Sequence, residues 1–178
     1  AGPLVVAGLV GVVTFFAYFL HPWLGRAVAV ALPLAGAIYA WRRPERTDPD
    51  LRAAALLVAG VGLFQLALLY LPDLHRDPEW QSQVRFLYEF PIDANLPKML
   101  GDRLYDGVPP KPFLPEAGWL SSDRPPLQAG LYLVVRPWGD VLGLPAGLIY
   151  QCVGTLAQLC WLPALWLLDR DDPTPSPN

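Results

Sequence analysis

The chain has 178 residues, of which 53% are hydrophobic and only 16% are charged, against about 25% charged residues in an average soluble domain. A formal charge of −3, with no basic stripe interleaved with aromatic residues, excludes a nucleic-acid-binding protein of the usual kind. The apolar residues are concentrated in blocks close to the roughly 20 residues that a helix needs to cross a bilayer, which indicates an integral membrane protein.

Four apolar blocks, taken in chain order, predict an all-α polytopic bundle of about four transmembrane helices. Their predicted bounds are Leu4 to Leu20, Ala27 to Trp41, Ala53 to Leu71 and Val141 to Leu168. The second block contains Pro33, and the fourth is longer than one membrane thickness and contains Pro145 and Pro163. Because proline interrupts helical hydrogen bonding, we expect those two helices to be kinked or tilted.

The arginines of residues 42–52 set the predicted orientation. This stretch links the second and third helices, and short loops rich in arginine stay in the cytoplasm. Residues 1–71 then hold three helices, and residues 72–140 form a long loop outside. The acidic, proline-rich tail 169–178 is predicted to be disordered. We therefore expect a multi-pass protein of the bacterial inner (plasma) membrane with its long loop on the outer side.

The external loop is predicted to be partly helical. Gln83 to Phe90 alternates apolar and polar residues, which is typical of an extended strand. Asn95 to Tyr105 predicts a short amphipathic helix, because leucines recur at every fourth residue. Pro125 to Val135 predicts a second short apolar helix that lies near the membrane interface.

Two motifs lie in this loop: FPIDANLPKMLGDRLYDG, Phe90 to Gly107, and WLSSDRPPLQAG, Trp119 to Gly130. With the flanking helices they resemble, over residues 51–168, the first external loop of the GT-C superfamily of membrane glycosyltransferases (glycosyltransferase 39-like). Members typically have more than four spans, so the resemblance implies the N-terminal portion of such an enzyme. It further implies transfer of a sugar from a polyprenyl-phosphate carrier to an acceptor on the outer side of the membrane.

The resemblance also implies roles for the acidic residues. Asp93 matches the external-loop acid and would take the proton from the acceptor hydroxyl. Asp73 is a rival for that role, because it directly follows the third helix. Asp123 would be a second acid that orients the acceptor or a metal. Members of the superfamily differ in metal dependence, so the cofactor is left open, with a divalent cation as the candidate.

The leaving phosphate needs cations, and an arginine fork suits it best. The resemblance assigns Arg124 to that task, with Lys98 or Arg103 assisting. Each site residue also has a purely structural interpretation. Asp93 and Asp123 can cap the helices that follow them, Arg124 can anchor to lipid head groups, and Lys98 and Arg103 can form the solvated face of their helix.

The segment from Asp73 to Asp77 alternates possible metal ligands around His75, but Arg76 between them opposes a bound cation. No metal site is therefore predicted. In the last predicted helix, Gln151, Thr155 and Gln158 share one face. Polar side chains avoid lipid, so this face predicts further transmembrane helices or an oligomer partner.

The main alternative function is a non-catalytic membrane subunit whose external loop binds a partner protein or lipid. A transferase requires that Asp93 or Asp73 and Arg124 converge on one cavity, whereas the subunit requires a flat apolar external face. A transporter would need charged or broken helices in mid-membrane, and no predicted transmembrane helix contains a charged residue.

Overall fold

The computed structural model describes residues 2–42, 49–70, 84–85, 88–89, 95–109, 113–114, 119–120 and 126–162. Within these residues the protein is all-α, with six helices and two small two-stranded ladders. The helices are α1 Gly2–Leu20, α2 Pro22–Arg42, α3 Pro49–Tyr70, α4 Leu96–Tyr105, α5 Pro126–Val141 and α6 Ala146–Leu159. The strands are β1 Val84–Arg85, β2 Tyr88–Glu89, β3 Phe113–Leu114 and β4 Trp119–Leu120.

Among the described residues, one helix is long and apolar enough to cross a membrane. It is α2, Pro22–Arg42, and since it lies near the N-terminus, a signal sequence would pass the same test. The apolar parts of α1 and α3 are shorter, Leu4–Leu20 and Arg52–Leu68. The prediction of an all-α protein is confirmed. Of the four predicted spans, the structure shows one candidate.

The predicted helix from Val141 to Leu168 begins later in the structure. Val141 is the last residue of α5, and α6 begins at Ala146. Gly143 between them has a φ of 67°, which favours glycine, and Pro145 is the extended N-cap residue of α6. α6 has 14 residues, a length of about 21 Å, and residues 163–168 lie outside the described part.

Large apolar side chains stay exposed along the first three helices. The exposed fraction is 53% for Phe19, 87% for Trp41 and 69% for Leu63. Exposed apolar surface on several successive helices is typical of helices that are surrounded by lipid or by other helices. This surface supports the interpretation of the chain as a membrane protein.

The core forms where α5 packs against α1 and α2. Gly8 lies next to Leu127, and Gly11 lies next to Leu131, so α1 and α5 run in the same direction. α2 runs the opposite way along α5, because Ala29 contacts Trp138 while residues 33–37 lie beside Val134 and Val135. The buried core consists of Phe15, Tyr18, Ala29, Leu100, Leu104, Tyr105, Ala129 and Leu133.

Both short helices predicted between residues 72 and 140 are present. α5 packs lengthwise along α1, with Leu127 beside Gly8 and Leu131 beside Gly11, rather than as the separate interfacial helix that was predicted. The spacing of the leucines correctly predicted α4, whose Leu96, Leu100 and Leu104 are 2%, 7% and 3% exposed. α5 continues past the predicted end at Val135 as far as Val141. The stretch predicted as one strand, Gln83 to Phe90, contains instead β1 and β2, which pair antiparallel with each other.

The closest approach of two helices yields a prediction. A Cβ atom at Gly130 would overlap the carbonyl oxygen of Gly11, and neither backbone can move without separating α1 from α5. We expect Gly130→Ala to destabilise the protein by about 1–3 kcal/mol, measured as a lower thermal unfolding midpoint in detergent.

The matched control is Gly154→Ala on α6, where a Cβ atom meets nothing within 4 Å. Because alanine favours a helix over glycine by roughly 0.5–1 kcal/mol, this variant should be neutral or slightly stabilised. Equal midpoints for the two variants would contradict the close packing of α1 on α5.

Candidate functional site

Four of the predicted site residues, Asp73, Asp93, Asp123 and Arg124, lie outside the described residues. Their roles stay predictions. The other two, Lys98 and Arg103, lie on α4. Asn95 is the N-cap residue of α4, and its side chain makes no capping hydrogen bond.

Lys98 belongs to a partly buried polar group that we call the Asp102 triad: Lys98, Asp102 and Tyr132. The Lys98 ammonium lies 2.9 Å from Oδ2 of Asp102 one helical turn away, and the Lys98 side chain is only 13% exposed. The other carboxylate oxygen of Asp102 accepts a hydrogen bond from the Tyr132 hydroxyl of α5. Lys98 therefore does not lie on a solvated face, and Arg103 is half-buried on the same helix.

The triad brings the two sequence motifs together. Asp102 and Gly101 belong to the first motif, and the Tyr132 ring, two residues past the second motif, covers Gly101 so closely that a Cβ atom there would clash with it. Ala129 of the second motif shares the main core cluster with Leu100 and Leu104 of the first. The described parts of both motifs therefore pack on each other, through α4 and α5.

A second polar group, which we call the Tyr105 cluster, consists of Arg26, Tyr105, Arg136 and Asp140. The Tyr105 hydroxyl donates to Oδ2 of Asp140 at 2.6 Å, and Arg136 donates to Oδ1 of the same carboxylate. Arg26 donates to the Tyr105 backbone oxygen at 3.2 Å. The guanidinium carbons of Arg26 and Arg136 lie 4.8 Å and 5.1 Å from the centroid of the Tyr105 ring. Both cations therefore interact with one aromatic side chain.

The Tyr105 cluster was missed by sequence reasoning because its members are far apart in sequence. Arg26 and Tyr105 are 79 residues apart, and Tyr105 and Asp140 are 35 apart. They meet because α4 ends against the turn between α1 and α2, where Gly107, with a φ of 72°, lies under Pro22. The only local signal was the spacing of Arg136 and Asp140, an i,i+4 pair on an apolar helix.

Burial and charge act together on the Tyr105 phenol. Burial raises the pKa of Tyr105 above its ordinary value of 10.0, and the hydrogen bond to Asp140 raises it further. The two arginines act in the opposite direction, with smaller effect. Tyr105 is therefore a neutral hydrogen-bond donor at physiological pH, and the charges of the cluster are two guanidinium groups and one carboxylate.

The predicted polar face of the last helix is divided in the structure. Gln151 and Thr155 are buried, whereas Gln158 is exposed. The methyl group of Thr155 lies against Gly62 of α3, so part of this face packs within the chain itself. Because Gln158 is exposed, the prediction of a partner outside the described residues stays open for that part of the polar face.

Within the described residues, no group of three or more His, Cys, Asp or Glu side chains could hold a metal ion. The segment from Asp73 to Asp77 lies outside them. No family model, curated protein or solved structure matches the chain. The function is therefore argued from the residues and their geometry.

The Asp102 triad predicts an effect on stability. In Asp102→Asn the negative charge 2.9 Å from the half-buried Lys98 ammonium is lost, and with it a charge-assisted hydrogen bond. We expect a destabilisation of about 1–3 kcal/mol in thermal or denaturant unfolding. The control is Asp106→Asn, since Asp106 is exposed and caps α4 through its backbone. That variant should stay within about 0.5 kcal/mol of wild type, and a similar loss in both would count against the triad.

The raised pKa of Tyr105 predicts how stability depends on pH. Below the unfolded-state pKa near 10.0 the phenol is neutral in both states, so its contribution is fully present. Above that pH the unfolded chain releases the proton while the folded protein retains it, and stability falls as pH rises through the folded-state pKa. Tyr105→Phe should show a flatter decline of the unfolding midpoint from pH 9 to 11. An unchanged slope in Tyr105→Phe would contradict the raised pKa of the Tyr105 phenol.

Proposed function

We propose that the chain is the N-terminal portion of a GT-C-type membrane glycosyltransferase. It transfers a sugar from a polyprenyl-phosphate carrier to an acceptor on the outer side of the bacterial inner membrane. The observation that carries the proposal is the packing of α4 on α5, because it joins the two motifs on which the resemblance depends.

The distribution of polar groups supports this proposal. The Asp102 triad and the Tyr105 cluster both involve α4. Arg26 of the Tyr105 cluster lies near the N-terminal end of α2, beside the turn that follows α1. The faces of α1 to α3 remain apolar. The Tyr105 cluster lies at one end of these apolar helices, which is typical of a site at a membrane surface, where a lipid-linked phosphate would be presented.

In this proposal Asp93, or else Asp73, takes the proton from the acceptor hydroxyl as general base. Asp123 orients the acceptor or a divalent cation. Arg124 binds the phosphate that leaves, assisted by Lys98 or Arg103. Further transmembrane helices or an oligomer partner complete the enclosure of the lipid carrier, in agreement with the exposed apolar side chains of the described helices.

The exposed apolar helices also favour the second candidate, a non-catalytic membrane subunit. Exposed side chains such as Leu63, and Trp161 just after α6, would then contact other subunits. The subunit needs no general base, so measurements of sugar transfer separate the two candidates.

The test measures sugar transfer from polyprenyl-phosphate donors by the chain with its native flanking sequence, reconstituted in nanodiscs. We expect Asp93→Asn to lower kcat by at least about 100-fold, since a general base contributes roughly that much or more. Asp73→Asn is assayed beside it to identify which of the two carboxylates is the base. Asp106→Asn, an exposed aspartate on the same loop, is the control and should retain wild-type activity.

Wild-type activity in both Asp93→Asn and Asp73→Asn would exclude either as base and refute the catalytic part of the proposal. Absence of transfer by the wild-type protein, with stable binding of another membrane protein, would favour the subunit instead.

A further inference from the structure

The arginines of the Tyr105 cluster have more N–H donors than there are acceptors among the described residues around them. A guanidinium group carries five N–H donors. Arg26 donates to one backbone oxygen and Arg136 to one carboxylate oxygen. Among the described residues, Nε of both arginines and the hydroxyl of Tyr18 are buried and have no hydrogen-bond partner.

Tyr18 belongs to the same site. Its ring centroid lies 5.8 Å from that of Tyr105, and its phenol interacts electrostatically with Arg26, Arg136 and Asp140. The Tyr18 side chain is only 1% exposed, so bulk water does not solvate it. An unpaired hydroxyl in such a place is destabilising unless a ligand supplies an acceptor.

The charge of the site is positive. Among the residues that the structure describes, two guanidinium groups face one carboxylate, which leaves one positive charge, and Tyr105 is neutral. The site is also open on one side, since the side chains of Arg136 and Asp140 are 18% and 39% exposed. The partner that this chemistry needs is a compact anion with several acceptor oxygens.

We propose that the Tyr105 cluster and Tyr18 bind a phosphate oxyanion, either the phosphodiester head group of an anionic membrane lipid or a free phosphate. Phosphate matches the planar fork of arginine, and its several oxygens can accept from Arg26, Arg136 and the Tyr18 hydroxyl together. A phosphodiester carries one negative charge, which equals the excess positive charge of the site. This binding does not require the chain to transfer a sugar.

An apolar groove beside the cluster favours the lipid as the source of the phosphate. The groove lies between α2 and α5, has a volume of about 350 Å³ and is lined by Pro33, Leu34, Ala37, Val134, Val135 and Trp138. Trp138 joins the groove to the charged site, because its indole N–H donates to the backbone oxygen of Ala29, about one turn from Arg26. A groove between apolar helices, connected to the helix of Arg26 through the contact of Trp138 with Ala29, suits an acyl chain whose head group lies on Arg26.

The test measures the rise in thermal unfolding midpoint of the full chain in mixed micelles as phosphatidylglycerol is added, with phosphatidylcholine and inorganic phosphate as parallel titrations. For wild type we expect a saturable rise with phosphatidylglycerol and none with phosphatidylcholine. In Arg26→Gln the half-saturating phosphatidylglycerol concentration should increase by more than about tenfold. Arg42→Gln removes an equal charge from the opposite, exposed end of α2 and should change it by less than about twofold.

Tyr18→Phe provides a second test that does not disturb the fold. It removes only an unpaired hydroxyl, so the midpoint without lipid should be equal to wild type or higher, while phosphatidylglycerol binds about tenfold more weakly. Protection by inorganic phosphate that depends on Arg26 would identify free phosphate as a ligand as well. Wild-type affinities in both Arg26→Gln and Tyr18→Phe, or equal losses in Arg26→Gln and Arg42→Gln, would overturn the proposal.

Discussion

The contact of α1 with α5 at Gly11 and Gly130 constrains most of the described structure. The two backbones approach so closely that no side chain fits between them, and the approach fixes the register of the helices. Because the helices run in the same direction, Tyr18 near the end of α1 comes beside Arg136 and Asp140 near the end of α5. Without that register the polar groups of α5 would not face the turn between α1 and α2.

α4 then completes both polar groups. Lys98 and Asp102 form one of them together with Tyr132 of α5, and Tyr105 at the other end of α4 forms the second. The leucines between them are buried in the core. Burying charged groups is costly unless each has hydrogen-bond partners. α4 supplies those partners through Asp102 and the Tyr105 hydroxyl, so its position depends on polar and apolar contacts together.

Local sequence patterns predicted what depends on neighbouring residues. The leucine spacing located α4 because a helix that packs on one face repeats every three to four residues. The break between α5 and α6 was placed wrongly, because apolar composition runs on through it and only the conformation of Gly143 and the N-cap at Pro145 mark the turn. α2 begins earlier than predicted, at Pro22, because proline is favoured in the first turn of a helix. The Tyr105 cluster could not be predicted, because it depends on contacts between distant segments.

If the chain spans a membrane as proposed, the single residue between α1 and α2 has a consequence for how its first two helices enter the bilayer. Only His21 separates the two helices, and the chain reverses direction there, with Nδ1 of His21 accepting a hydrogen bond from the backbone of Trp23. A connection this short cannot reach from one face of a bilayer to the other. In the proposed membrane protein the two helices therefore enter the bilayer together as one hairpin, and the sidedness of either helix dictates the sidedness of the other and of Arg26 beside the turn.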